Sequence, residues 1–244
     1  NKVNIVSALR VLFRFWKEEG LLERDFSQFF ESFRVRHPER VPSFFTKEEV
    51  LRIENSIARS NAVGKRNYAM TLLASRLGLR ASDIANLKFG EIDWDNNLLT
   101  ITMQKTRKVI QLPLLAEVGN SIVDYLKNGR PKSSLDQVFL SSRAPYTGAT
   151  KACVCAAINE IILKSGVDVH LKHHGPHSLR HSLASAMLRE ETTLPVISES
   201  LGHRHTDTTM VYLKIDIPSL MKCALPVPSV TEGFYTQRGG AFYE

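Results

Sequence analysis

The chain has 244 residues, with 32 Lys plus Arg against 25 Asp plus Glu, a formal charge of +7, and 43% hydrophobic residues. That apolar content fills one sizeable core or two small ones and excludes collagen-like, mucin-like and disordered chains. No run of about 18 apolar residues is present to span a membrane, and no signal peptide opens the chain. Asn1 stands where a start Met would, which points to a piece of a longer protein. The three cysteines, Cys153, Cys155 and Cys223, are odd in number and lack CxxC spacing. They read as small core residues in a reducing compartment. The basic excess hints at a polyanionic partner without naming it.

In chain order, residues 4–19 show helical periodicity, with Ile5, Leu9, Leu12, Phe13 and Trp16 on one face and Gly20 ending the run. A second helix is predicted at 25–35, carrying Phe26, Phe29, Phe30 and Phe33. The stretch His37–Pro42 breaks helix and marks a domain boundary. Thr46-Lys47-Glu48-Glu49 is a capping box opening a helix to about Ser60. Further helices are predicted at 66–77, ending at Gly78, and at Ser82–Lys88. The period then changes from helical to alternating. Glu91–Trp94, Leu98–Met103 and Val109–Leu112 read as a three-stranded antiparallel meander. Helices follow at 115–128, 150–165, 177–190, 194–201, 207–214 and 217–223, before an aperiodic tail from Pro226. The class is α+β: a mainly helical domain with one small three-stranded antiparallel sheet, preceded by a short helical segment.

Several residues suit chemistry. His177 and Arg180 lie one turn apart near a helix start led by Pro176, where free N–H groups favour an anion. Taken alone, such a pair is more often a surface salt-bridge group. Arg80 follows the helix-ending Gly78, with Asp83 a turn further on, placed to hold either helix geometry or the guanidinium. Gln104–Lys108 is a basic hairpin tip, which by itself is only a solvated turn. Leu201-Gly202-His203 makes a sharp turn nine residues before Tyr212, a tyrosine that could equally be half-buried and inert.

The order and spacing of Arg80, Lys105, His177-x-x-Arg180, Leu201-Gly202-His203 and Tyr212 resemble the tyrosine recombinases, the phage-integrase-like family. The segments that carry the resemblance are TLLASRLGLRASDIANLKFGEID, HSLRHSLASAMLRE and LGHRHTDTTMVYLKID. The resemblance implies a catalytic domain over 43–224, a remnant of a helical core-binding domain over 1–40 and a tail over 225–244. It implies a site-specific recombinase or integrase, of a phage or mobile element, that cuts and rejoins DNA through a 3′-phosphotyrosine. Tyr212 would be the nucleophile, and Arg80 and Arg180 would hold the non-bridging oxygens. His177 and His203 would supply a base and a further donor, and Lys105 would protonate the leaving 5′-oxygen. Lys105 is preferred to Arg107 or Lys108 because the family lysine starts the hairpin turn. Asp83 stands where the family often has Glu and would play a supporting part. Neither metal nor ATP is implied. The implied partners are double-stranded DNA and further copies of the chain, forming a tetramer on DNA through the C-terminal segment. Free in solution a monomer or weak dimer is expected, in the cytoplasm, with no membrane contact.

Two other readings stay open at this level. His170, His173, His174, His177, His181, His203 and His205 enrich the C-terminal half, and His177 and His181 have the i, i+4 spacing of a zinc pair, though HExxH is absent. A fold of the same family without activity is the other.

Overall fold

The structure, a computed structural model, describes residues 2–30, 44–170 and 172–203. The chain divides into two units, Asn1–Val41 and Pro42–Glu244. The helices predicted over 207–214 and 217–223, the tail, Cys223 and Tyr212 lie outside the described residues.

In the first unit, α1 spans Lys2–Glu18 and Gly20 follows it with φ +71°. The helix predicted at 25–35 is instead a 3₁₀ helix, Phe26–Phe30, as far as the chain is described. Its cause is local. The Asp25 carboxylate takes the Ser27 N–H at 2.8 Å, and Phe26 stacks on Phe29 three residues on, as 3₁₀ geometry eclipses them. Phe13 of α1 packs on Phe26 and Phe30 at ring separations of 6.0 and 5.5 Å.

In the second unit, α2 spans Lys47–Asn55, and both halves of its capping box form: Glu49 N–H to Thr46 Oγ1, and Thr46 N–H to the Glu49 carboxylate. The helix stops short of Ser60 because Ser56 turns its hydroxyl back to the Ile53 carbonyl at 2.7 Å. Helix α3, Ala62–Arg76, starts earlier than predicted because Asn61 caps it, accepting from the Gly64 N–H. Residues Ala69 through Ser75 are all buried, so α3 is surrounded rather than amphipathic, and it packs on α2, α5 (Ala116–Asn128), α6 (Lys151–Lys164) and α7 (Pro176–Arg189). It ends at a buried ion pair, where Glu54 receives Arg76 through two guanidinium nitrogens and Ser75 through its hydroxyl.

The short α4 is Ala81–Ala85. Strands β1 (Ile92–Asp93), β2 (Leu98–Thr102) and β3 (Val109–Pro113) pair antiparallel in chain order. The register sets Leu99 opposite Leu112 and Ile101 opposite Ile110, which puts one apolar face of the meander into the core. Helix α8, Leu194–Ser200, completes the described fold and packs on α7 and β3. No helix among the described residues is long and apolar enough to cross a membrane.

Candidate active site

The residues singled out from the sequence come from elements far apart in the chain. Arg80 occupies the N-cap position of α4 in extended conformation but makes no capping bond with its side chain. Instead it lines a cavity of about 530 Å³ together with Lys105, His177 and Arg180. Of the hairpin cations, Lys105 borders this cavity while Arg107 and Lys108 do not. Helix α7 begins at Gly175-Pro176, with Pro at a first-turn position where its missing N–H costs nothing.

Arg180 is 2% exposed, and its guanidinium joins two turns. Nη1 donates to the Gly78 carbonyl at 2.6 Å and Nη2 donates to the Leu201 carbonyl. The first turn leads into Arg80 and the second into His203. Gly78 (φ +63°) and Gly202 (φ +60°) both adopt left-handed backbone. A Cβ on Gly78 would lie 2.6 Å from a Leu201 methyl, and one on Gly202 would lie 3.1 Å from the end of Met103. Both turns are therefore pressed against neighbours: Gly78 on the turn after α8, Gly202 on the β2–β3 hairpin.

Asp83 is buried, and its Oδ1 accepts the Gln104 main-chain N–H at 2.8 Å. Neither role left open by the sequence is the one this bond shows: the carboxylate holds the base of the hairpin that carries Lys105.

The histidines are tuned low. Burial first, and then Arg180, Arg80, His181 and Lys105, push the His203 imidazole down to about 3. Burial, His177 and Arg180 push His181 down to about 4. His177 is also lowered, by desolvation first and then by Arg180, Arg80, Lys105 and Lys151. All three imidazoles are therefore neutral at pH 7, each with one N–H donor and one lone pair. His203 is buried and does not border the cavity. The His177 and His181 rings lie 5.7 Å apart, tilted by 30°, but no group of three or more His, Cys, Asp or Glu among the described residues is arranged to hold a metal ion.

Sequence reasoning missed one wall. Lys151, Cys155 and Asn159 stand at i, i+4 and i+8 on α6 and face the same cavity. The four-residue spacing was visible, but nothing in the sequence said which face of α6 meets the site. Cys153 and Cys155 are free and half-buried; Cys155 packs against the edge of the core, while Cys153 is not among the core residues.

Comparisons with known proteins give the family and the fold. The model of the phage integrase family matches residues 43–217. The integrase/recombinase y4rA of Sinorhizobium fredii is 40% identical over 189 residues, 77% of this chain and 45% of that one. Tyrosine recombinase XerA of Thermococcus kodakarensis is 32% identical over 221 residues, 89% of this chain and 72% of that one. Among solved structures, the Tn1549 transposon integrase in complex with a circular intermediate DNA superposes with a TM-score of 0.66 at 15% identity, over 91% of this chain and 78% of that one, a likeness of fold. The chain belongs to the phage integrase family.

Proposed function

We propose that this chain is the catalytic portion of a site-specific DNA recombinase or integrase, cutting and rejoining double-stranded DNA through a 3′-phosphotyrosine. The observation that carries the reading is the convergence of Arg80, Lys105, His177 and Arg180 on one cavity. Pentacoordinate phosphorus spreads negative charge over its equatorial oxygens, and rigid guanidinium forks match that distribution. In the proposed step the Tyr212 phenolic oxygen attacks phosphorus and its proton passes to the neutral imidazole of His177, which lines the cavity. The P–O5′ bond breaks in line, and Lys105 gives its proton to the departing 5′-oxygen. Rejoining runs the same sequence backwards. One ester replaces another, so bond energy is conserved and neither ATP nor a metal enters the balance. His203 neighbours Arg180 and Arg80 as a neutral donor, and Asp83 supports Lys105.

The relatives and structural neighbours support DNA as partner: the Tn1549 integrase is held in a DNA complex, and the Sinorhizobium relative bears the name integrase/recombinase. By the same reading, residues 1–40 are a remnant of the core-binding domain, 43–224 the catalytic domain, and 217–223 with the 225–244 tail the segment that links copies into a tetramer on DNA. A phage or mobile element is the proposed setting and the cytoplasm the proposed location.

A duplex nicked near the cut releases a short fragment after cleavage and traps the covalent intermediate. The wild-type chain is expected to form this adduct in excess EDTA, and the Tyr212→Phe variant to form none. Adduct formation that stops on chelation, or that survives Tyr212→Phe, contradicts the reading.

A further inference from the structure

Asn159, on the α6 wall of the cavity, carries a polar atom that the proposed chemistry does not use. Asn159 Oδ1, on α6, is buried and has no hydrogen-bond partner among the described residues. Room for it is made by Gly175 (φ +124°), where a Cβ would stand 2.5 Å from that oxygen. A buried acceptor left unpaired is costly, so such an atom calls for a donor that arrives with a ligand.

The nature of the donor follows from the rest of the wall. Arg80, Lys105, Lys151, His177 and Arg180 surround the same space, and a phosphate suits all of them. A phosphate diester, however, has only acceptor oxygens and leaves an amide oxygen unsatisfied. Deoxyribose within an uncut strand adds no donor either. The groups of duplex DNA that donate into a groove are exocyclic amines, adenine N6 and cytosine N4 on the major-groove side and guanine N2 on the minor-groove side.

We propose that Asn159 is a specificity-determining residue, its Oδ1 accepting a hydrogen bond from the exocyclic amine of an adenine, cytosine or guanine next to the scissile phosphate. The proposal rests on the reading of this cavity as the scissile-phosphate site. It gives the α6 wall a role separate from bond breaking: the cations hold the phosphate, and Asn159 samples the adjacent base.

A pool of nicked duplexes randomised around the nick tests this with the full chain, by sequencing the DNA trapped as covalent adduct. Wild type is expected to enrich one amine-bearing base, adenine, cytosine or guanine, about tenfold at one position flanking the cut. Asn159→Leu keeps the size of the side chain, loses the acceptor and is expected to erase that enrichment while leaving the preferences at other positions. Asn159→Asp keeps an acceptor and is expected to retain the enrichment. Asn159→Ser, smaller and polar, withdraws the acceptor from reach and serves the same purpose if the leucine variant does not fold. An unchanged pattern in the leucine or serine variant overturns the proposal. So does an equal loss on all sequences, which would assign Asn159 to a protein donor or to the leaving hydroxyl. Absence of any wild-type adduct is a different result and strikes the recombinase reading itself.

Discussion

Asp83 and Gln104 are joined by a 2.8 Å hydrogen bond from the Gln104 main-chain N–H to the Asp83 carboxylate. The bond ties α4, which starts at Arg80, to the residue just before Lys105. On the proposed function, Asp83 acts through the hairpin that carries Lys105. Replacing it with Ala removes a buried charge-assisted hydrogen bond of about 1.5–3 kcal/mol. Adduct formation is expected to fall about 10- to 100-fold in Asp83→Ala. The loss should largely disappear when measured in a Lys105→Ala background, because the two changes share one route. Single-turnover cleavage of all four combinations checks this, and fully additive losses contradict it.

Gly78 sits under the Arg180 fork in left-handed backbone. Gly78→Ala adds both the left-handed penalty, about 1–2 kcal/mol, and a contact 2.6 Å from Leu201. Gly166 (φ +74°) has the same backbone requirement with nothing within 4 Å of its Cβ position. Urea denaturation is expected to show Gly78→Ala less stable than Gly166→Ala by about 1 kcal/mol or more. Cleavage should suffer only in the Gly78 variant. Equal losses would mean that the contact with the turn after α8 yields freely.

Stability should depend on pH through the histidines. An ordinary histidine titrates near 6.5, while burial holds His203 at about 3 and His181 at about 4. Below pH 6.5 the unfolded chain therefore takes up protons that the folded chain refuses. Stability is complete above that pH and is lost as pH falls towards 4, by up to about 1.4 kcal/mol per pH unit for each histidine. Denaturation midpoints across pH 7.5 to 4.5 are expected to fall less steeply in His181→Asn than in wild type. Parallel curves would contradict the assignment.

Arg180 combines two structural bonds to carbonyls with its place in the cavity wall. Lysine keeps the charge but has no planar fork to reach the Gly78 and Leu201 carbonyls together. Arg180→Lys is expected to lower adduct formation about 100-fold or more, close to the loss in Arg180→Ala. Near-normal cleavage by the lysine variant would show that charge alone suffices.

The meander was legible because alternation is a short-range signal: Leu99 and Ile101 on β2 and Ile110 and Leu112 on β3 each betray their buried face. The capping box at Thr46 was legible for the same reason. The start of α3 was misplaced because Asn61, an isolated cap before a weakly periodic segment, was not read as one. Among the candidate site residues, Arg80, Lys105, His177, Arg180 and His203 stand out by spacing and resemblance. What each does for its neighbours was not. The Asp83–Gln104 bond spans 21 residues, and so does that from Arg180 to the Leu201 carbonyl, while the one from Arg180 to Gly78 spans 102. No local pattern records such pairings. The α6 wall escaped for a related reason, since its orientation is decided by packing on α3, α4 and α7.

The most direct measurement is the chemical identity of the trapped intermediate. Wild-type chain is reacted with the nicked duplex, digested with protease and nuclease, and its nucleotide-bearing peptide sequenced by mass spectrometry. The account predicts one peptide, with a 3′-phosphate of the cut strand esterified to the oxygen of Tyr212. A nucleotide on Tyr235 or Tyr243, a linkage through the 5′-phosphate, or cleavage with no peptide attached would contradict it.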